Sequence, residues 1–267
     1  MKIYYNYIFI FLLVVILLHL FRKLKLNKNY QNNLIILYED EYIIVIDKPS
    51  NIASHNSVGW YGPSIVGVLT ASGYKLYKNE EDPQQDGIVH RLDVGTSGVM
   101  VLAKNEFAYK NLKDQFRYRT VKKIYHALIE GDIQEISGTI HDPIDRICEE
   151  NFLFGIVPDG KPSTTHYKKI LVLPEAKLFP AVSLVEINLE TGRTHQIRLH
   201  FSNIHHSLVG DFKYGCDRGL AARLKMNHQW LHAKRLEINH PLTGTRMLFN
   251  TEYPYYLRNS LNLLTNN

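Results

Sequence analysis

Asp93 sits two residues after Arg91 in the stretch DGIVHRLDVGTSGVMVLAKN, residues 86–105, between two apolar runs. A carboxylate beside a guanidinium can serve as a nucleophile or as a stabiliser of developing positive charge, because the cation keeps it ionised where burial would neutralise it. The Thr96-Ser97-Gly98 turn that follows offers hydroxyls and a point where another backbone can approach closely. Spacing alone leaves the reading open, since an Asp near an Arg is more often a structural ion pair than a catalytic group. Metal chemistry finds less support. His195 and His200 lack the HExxH arrangement, His205 and His206 are adjacent, and Cys148 and Cys216 belong to no CxxC pair, so no metal site and no disulfide framework is expected.

The elements that must position Asp93 can be read from patterning. LIILYEDEYIIVIDKPS predicts two strands, Leu34 to Tyr38 and Tyr42 to Asp47, around the acidic turn Glu39-Asp40-Glu41, with Lys48-Pro49 shaping the loop beyond. Ser64 to Tyr74 reads as a helix, Ile88 to His90 and Val99 to Ala103 as strands flanking the polar Asp93 loop, and Phe107 to Arg117 as a helix starting after Asn105. Further strands are expected at Ile124 to Glu130, His166 to Val172, Val182 to Leu189, Ile197 to Phe201 and Leu231 to Ile238. Runs of strand with a few helices predict an α+β domain on a mixed or largely antiparallel central sheet with flanking helices. Residues 34–258 form the expected catalytic body, and residues 259–267 read as a disordered tail.

The 267-residue chain carries 31 Lys and Arg against 26 Asp and Glu, a formal charge of +5. Residues 1–33 hold Lys2, Arg22, Lys23, Lys25 and Lys28 and no acid, so they account for that excess and the body is formally neutral. Attraction for a polyanion must therefore come from a local patch. The richest is Lys104 to Tyr125, where Lys104, Lys110, Lys113, Arg117, Arg119, Lys122 and Lys123 face only Glu106 and Asp114. The N-terminus is apolar from Ile3 to Phe21 and is followed by the basic cluster Arg22, Lys23 and Lys25. Nineteen helical residues span roughly 28 Å, which fits a single-pass anchor or an organelle-targeting segment, with a cytoplasmic protein starting near Leu34 as the alternative.

HRLDVGTSG, continued through Ala103-Lys104, resembles the signature HRLDxxTSGxxxxAK of the RluA-type pseudouridine synthases. Other blocks follow in that family's order: YEDEYIIVIDKPS, the KxYxAxxxG element from Lys123 to Gly131, ETGRTHQIRLH from Glu190 to His200, Gly210-Asp211 with Tyr214-Gly215, and LHAKRLEINHPLTG from Leu231 to Gly244. The resemblance covers about residues 34–250. It implies the pseudouridine synthase catalytic fold and an isomerase that detaches uracil from its ribose and reattaches it through carbon, without a cofactor.

By the same resemblance, Asp93 is the catalytic carboxylate, acting either on the sugar or in support of glycosidic cleavage. Tyr125 is the active-site tyrosine set against the uracil, implied to help with proton removal, and Arg198 is the basic partner of Asp93. Arg91 holds the duplex open once the target has left the stack, and Leu199 is an apolar neighbour of the base. Arg193 and His195 are supporting or RNA-contacting residues, while Lys104, Lys113 and Arg117 are expected to meet phosphates. The implied partner is RNA, ribosomal or transfer, bound by a monomer. Two positions depart from the family: Asn51 and His205 stand where glycine is common, and Asn tolerates positive φ. Many relatives carry an N-terminal S4-type domain, for which the residues before Leu34 are too few, so substrate selection is expected to rest on the catalytic body. A catalytically silent RNA-binding factor on the same scaffold is the competing reading, against which the intact Asp93, Tyr125 and Arg198 argue.

Overall fold

The structure is a computed structural model that describes residues 34–56, 60–82, 85–148, 153–173, 175 and 179–265. The apolar run Ile3 to Phe21 lies outside the described residues. Among the described residues no helix is long and apolar enough to cross a membrane.

The first hairpin joins β1 (Ile35–Glu39) to β2 (Ile43–Lys48). Its acidic turn closes on itself, because Asp40 Oδ1 accepts from the backbone N–H groups of Tyr42 at 2.7 Å and Ile43 at 2.8 Å. Helix α1 (Ile65–Ala71) begins at Ser64, whose hydroxyl accepts from Gly67 N. Strand β3 (Ser97–Ala103) leads into α2 (Glu106–Arg117), capped by Asn105 accepting from Ala108 N at 2.9 Å. There follow β4 (Lys122–Glu130), β5 (Ser137–Ile140), β6 (Ile144–Cys148), β7 (Leu153–Ile156), β8 (Thr165–Leu173) and β9 (Val182–Leu189). The last elements are α3 (Gln196–Asn203), α4 (Arg218–Arg223), β10 (Leu231–Asn239), β11 (Arg246–Asn250) and α5 (Tyr255–Thr265).

Among the described residues, nine strands form one sheet in the order β1-β2-β3-β10-β4-β9-β8-β5, with β11 continuing on β10. Every pairing is antiparallel except β3 with β10. The chain is thus the expected α+β fold on a mixed, mostly antiparallel sheet with flanking helices. Strand β2 is buried on both faces: Ile44 and Ile46 pack with α1 residues such as Val68 and Leu69, while Ile43 and Val45 pack with Ala108 and Leu112 of α2. That two-sided cover explains its unbroken apolar run. At the parallel β3–β10 join, Gly98 has φ +115°, and a Cβ there would lie 2.2 Å from the Ala233 carbonyl oxygen. Only glycine fits that approach.

Three expectations are corrected. Ile88 to His90 is not a strand: Ile88 makes one isolated bridge to Leu102, and the His90 ring accepts the Val101 N–H at 3.1 Å, so a side chain takes the place of a ladder partner. Ile197 to Phe201 is the core of a helix, α3. Residues 259–265 are not disordered but belong to α5, docked through fully buried Leu257 and Ser260, with Trp230 Nε1 donating to Ser260 Oγ at 2.7 Å.

Candidate active site

Asp93 stands on a loop held from below by the segment after β2. Ser54 Oγ donates to Leu92 O at 2.9 Å and accepts from Leu92 N at 3.0 Å, and Asn51 N donates to Val94 O at 2.8 Å. Thr96 N donates back to Asp93 O at 3.0 Å, closing the turn. Lys48 does more than shape a loop. It is fully buried, and its ammonium donates to Pro49 O at 3.0 Å, Ile52 O at 2.8 Å and Val94 O at 3.4 Å. Burial pulls its pKa down to about 7 against the pull of Asp93 and Asp47. Three carbonyl acceptors match the three donors of the protonated form. Asn51 and His205, at the two positions where glycine is common, both adopt the left-handed region, with φ 62° and 63°.

The facing wall is α3. Arg198 Nη1 donates to Asp93 Oδ2 at 3.2 Å. The bidentate contact of this guanidinium goes elsewhere: Nε and Nη2 donate to the two carboxylate oxygens of Asp211, at 2.7 and 2.8 Å. Tyr214 lies over the same guanidinium, its ring centre 4.9 Å away. One carboxylate thus fixes the arginine and leaves Asp93 with a single hydrogen bond from it. Asp211 and Tyr214 carry a family motif, Gly210-Asp211 with Tyr214-Gly215, but their spacing to Arg198 gave no sign of this role.

Electrostatics follow from that geometry. Burial raises the Asp93 carboxyl, but His195, Arg198 and Arg91 together outweigh it and hold the group below the ordinary carboxylate range. His195 itself is pushed down to about 4 by burial, so at neutral pH the cation touching Asp93 is Arg198. His195 precedes α3 in the left-handed region at φ 57°, without a side-chain cap. Its ring instead meets the Tyr214 hydroxyl at 2.7 Å and lies 3.9 Å from Asp93. A non-glycine residue held there costs of order 1–3 kcal/mol, a strain that clusters at functional sites. Tyr125, on β4, is raised by burial and then by the charge of Asp93, which keeps it a phenol.

Asp93, Tyr125 and Arg198 line one cavity of about 80 Å³, whose apolar wall is Leu189, Ile197 and Leu231. Leu199 is not part of that wall. It is buried elsewhere on α3, because each helical residue turns about 100° from its neighbour and residue 198 is the one that faces Asp93. Arg91 and Arg193, both exposed, line this cavity and also a larger one of about 600 Å³ beside it, to which Lys113 and Arg117 contribute. Lys104 is not in either. Its ammonium pairs with Glu39 at 2.6 Å and with the Asp40 carbonyl at the β1–β2 turn, so it braces the hairpin. Among the described residues no group of three or more His, Cys, Asp or Glu is placed to hold a metal ion.

Residues 42–203 match the family described as RNA pseudouridylate synthase. An RNA pseudouridine synthase of Mycobacterium bovis is 48% identical over 229 residues, covering 86% of this chain and 72% of that protein. The ribosomal large subunit pseudouridine synthase D of Pseudomonas aeruginosa is 38% identical over 228 residues, covering 82% and 68%. Among solved structures, human RNA pseudouridylate synthase domain containing 1 superposes with a TM-score of 0.65 at 28% identity, covering 84% of this chain and 85% of that one. Human RNA pseudouridylate synthase domain containing 4 shares the fold, with a TM-score of 0.66 at 23% identity over 89% and 96%.

Proposed function

This chain belongs to the RNA pseudouridylate synthase family and is an isomerase acting on RNA, and on that premise we propose that Asp93, Tyr125 and Arg198 carry its chemistry. The reaction breaks the bond from uracil N1 to ribose C1′, turns the ring, and forms a bond from C5 to C1′. The C5 proton leaves and N1 takes one up, so nothing is oxidised or reduced. The target ring lies in a stack, and the nucleotide must be flipped into a pocket before any group can reach C1′.

The observation that carries this reading is the 3.2 Å contact between Arg198 and Asp93 inside a cavity also lined by Tyr125. An ionised carboxylate there can attack C1′ or stabilise positive charge on the sugar as the N1 bond breaks. Leu189, Ile197 and Leu231 give the detached uracil an apolar surface, with the Tyr125 phenol against it. In this reading Arg91, exposed and lining both cavities, fills the gap left by the flipped nucleotide, and Arg193 meets the strand. We take the substrate to be ribosomal or transfer RNA. The resemblance to a ribosomal large subunit synthase favours ribosomal RNA.

The test is Asp93→Asn, assayed side by side for pseudouridine formation and RNA affinity. The amide keeps the shape and removes the charge, so turnover should become undetectable while affinity stays within about threefold; losing an essential charged group costs several kcal/mol, and each 1.36 kcal/mol is a factor of ten. Isomerisation at a near wild-type rate would sink the assignment.

A further inference from the structure

The larger cavity lies between the C-terminal half of α2 and the loop from Glu190 to Arg193, and it shares Arg91, Tyr125 and Arg193 with the lining of the Asp93 pocket. Its floor is apolar and aromatic, with the His90 ring stacked on Phe116 at 4.6 Å. Burial pushes the His90 ring down to about 3, so the floor carries no charge at neutral pH. The charged wall residues are mostly cationic, with Asp114 and Glu190 the acidic ones, and the cations differ in kind. Lys113 and Arg117 are exposed on the α2 rim. Arg119 is half spent, paired with Glu190 at 2.5 Å.

Lys123 is the exception. It is recessed, its ammonium donates to the Thr191 carbonyl at 3.2 Å, and none of the ion pairs among the described residues gives it a carboxylate. Burial, followed by repulsion from Arg119, pulls its pKa down to about 8. A desolvated ammonium beside a second cation, with only a carbonyl for company, is a site that an anion would relieve. Strand alternation puts Lys123 on the same face of β4 as Tyr125, roughly 7 Å away along the strand. That separation is of the order of the reach from a base to a neighbouring phosphate.

We propose that Lys123, with Arg119 and Arg193 at its sides, forms a recessed subsite for one phosphate of the RNA strand, that of a nucleotide next to the flipped uridine, whose own base or sugar rests on the His90–Phe116 floor. This rests on the reading of the Asp93 pocket as the uridine site. It separates one specific phosphate contact at Lys123 from the diffuse attraction supplied by Lys113 and Arg117.

The experiment uses the full chain and a hexanucleotide containing one uridine, in which each phosphate in turn is replaced by an uncharged methylphosphonate, with affinity read by fluorescence anisotropy at low salt. In the wild type, one position adjacent to the uridine should cost about tenfold in affinity, roughly 1.4 kcal/mol. In Lys123→Met that penalty should vanish while the other positions behave as before, and Lys123→Arg, which keeps the charge, should restore it. Lys113→Ala should instead weaken every oligonucleotide alike. Equal penalties in wild type and Lys123→Met would overturn the subsite, as would failure of the wild type to bind the hexanucleotide, or a cavity that takes inorganic phosphate without any position dependence in RNA. The readout is binding, so it fails or holds independently of whether Asp93→Asn abolishes turnover.

Discussion

Arg198 is shared between two carboxylates, and the sharing is unequal. Asp211 takes two hydrogen bonds and Asp93 one. We propose Asp211 as a positioning residue: it aims the guanidinium and leaves Asp93 a single hydrogen bond from it. Asp211→Asn should lower kcat by about tenfold with little change in RNA affinity, of the size expected for one charged hydrogen bond. The same substitution in an Arg198→Lys background should add almost nothing, since lysine cannot hold the fork. Additive losses in that double-mutant cycle would assign Asp211 a role apart from Arg198. Arg198→Ala removes a cation and a hydrogen bond that, with His195 and Arg91, oppose burial at Asp93, and the sign is fixed by that: the carboxyl pKa rises, so the acid limb of the pH–rate profile moves to higher pH than in the wild type. An unmoved limb in a folded, active variant would contradict the pairing.

At the scale of elements, sequence and structure disagree most usefully at α3. Ile197, Leu199 and Phe201 alternate with Arg198 and His200, which is the pattern of a half-buried strand. In the structure every residue from Gln196 to Phe201 is buried, Gln196, Arg198 and His200 included, so along this stretch no exposed polar face marks the helical period in the sequence. The placement of Asp93 was legible because a polar loop between two apolar runs needs only local signals, and so were the caps at Ser64 and Asn105. The Asp211 fork was not, since it depends on how the loop after α3 folds back onto it. The same limit hid α5, whose reason to be helical is the Trp230 surface it covers. Leu257→Ala should cost about 2–4 kcal/mol in urea unfolding, as a fully buried leucine truncated in place does. A loss below about 0.5 kcal/mol would show that α5 is only loosely applied.

For the whole molecule, buried histidines dominate the response to acid. Burial is the first cause lowering His90, His126, His195, His200, His228 and His232. Each is neutral when folded and gains a proton on unfolding below about pH 6.5, so stability must fall as pH drops from there toward the folded values. Glu130, raised to about 7, and Asp47, raised to about 6, act oppositely but are fewer. The melting midpoint should drop by about 5 °C or more between pH 7 and pH 5. A midpoint that rises would mean the two carboxyls prevail. The residues named in the two cavities all lie between Val89 and Leu231, and we propose that the apolar run and basic flank of residues 1–33 serve localisation. A chain starting at Leu34 should turn over purified RNA at an unchanged rate, and a large loss in a well-folded truncated protein would place part of the machinery in that segment. The parallel join of β3 to β10 has a consequence during synthesis. Asp93 and Arg198 are 105 residues apart in sequence, and β10, which pairs with β3 just beyond the Asp93 loop, ends only at Asn239. A nascent chain emerging from the ribosome therefore displays its carboxylate long before Arg198 and Asp211 arrive to hold it. On the proposed roles of these residues, the site is assembled only late in translation, once β10 has joined β3.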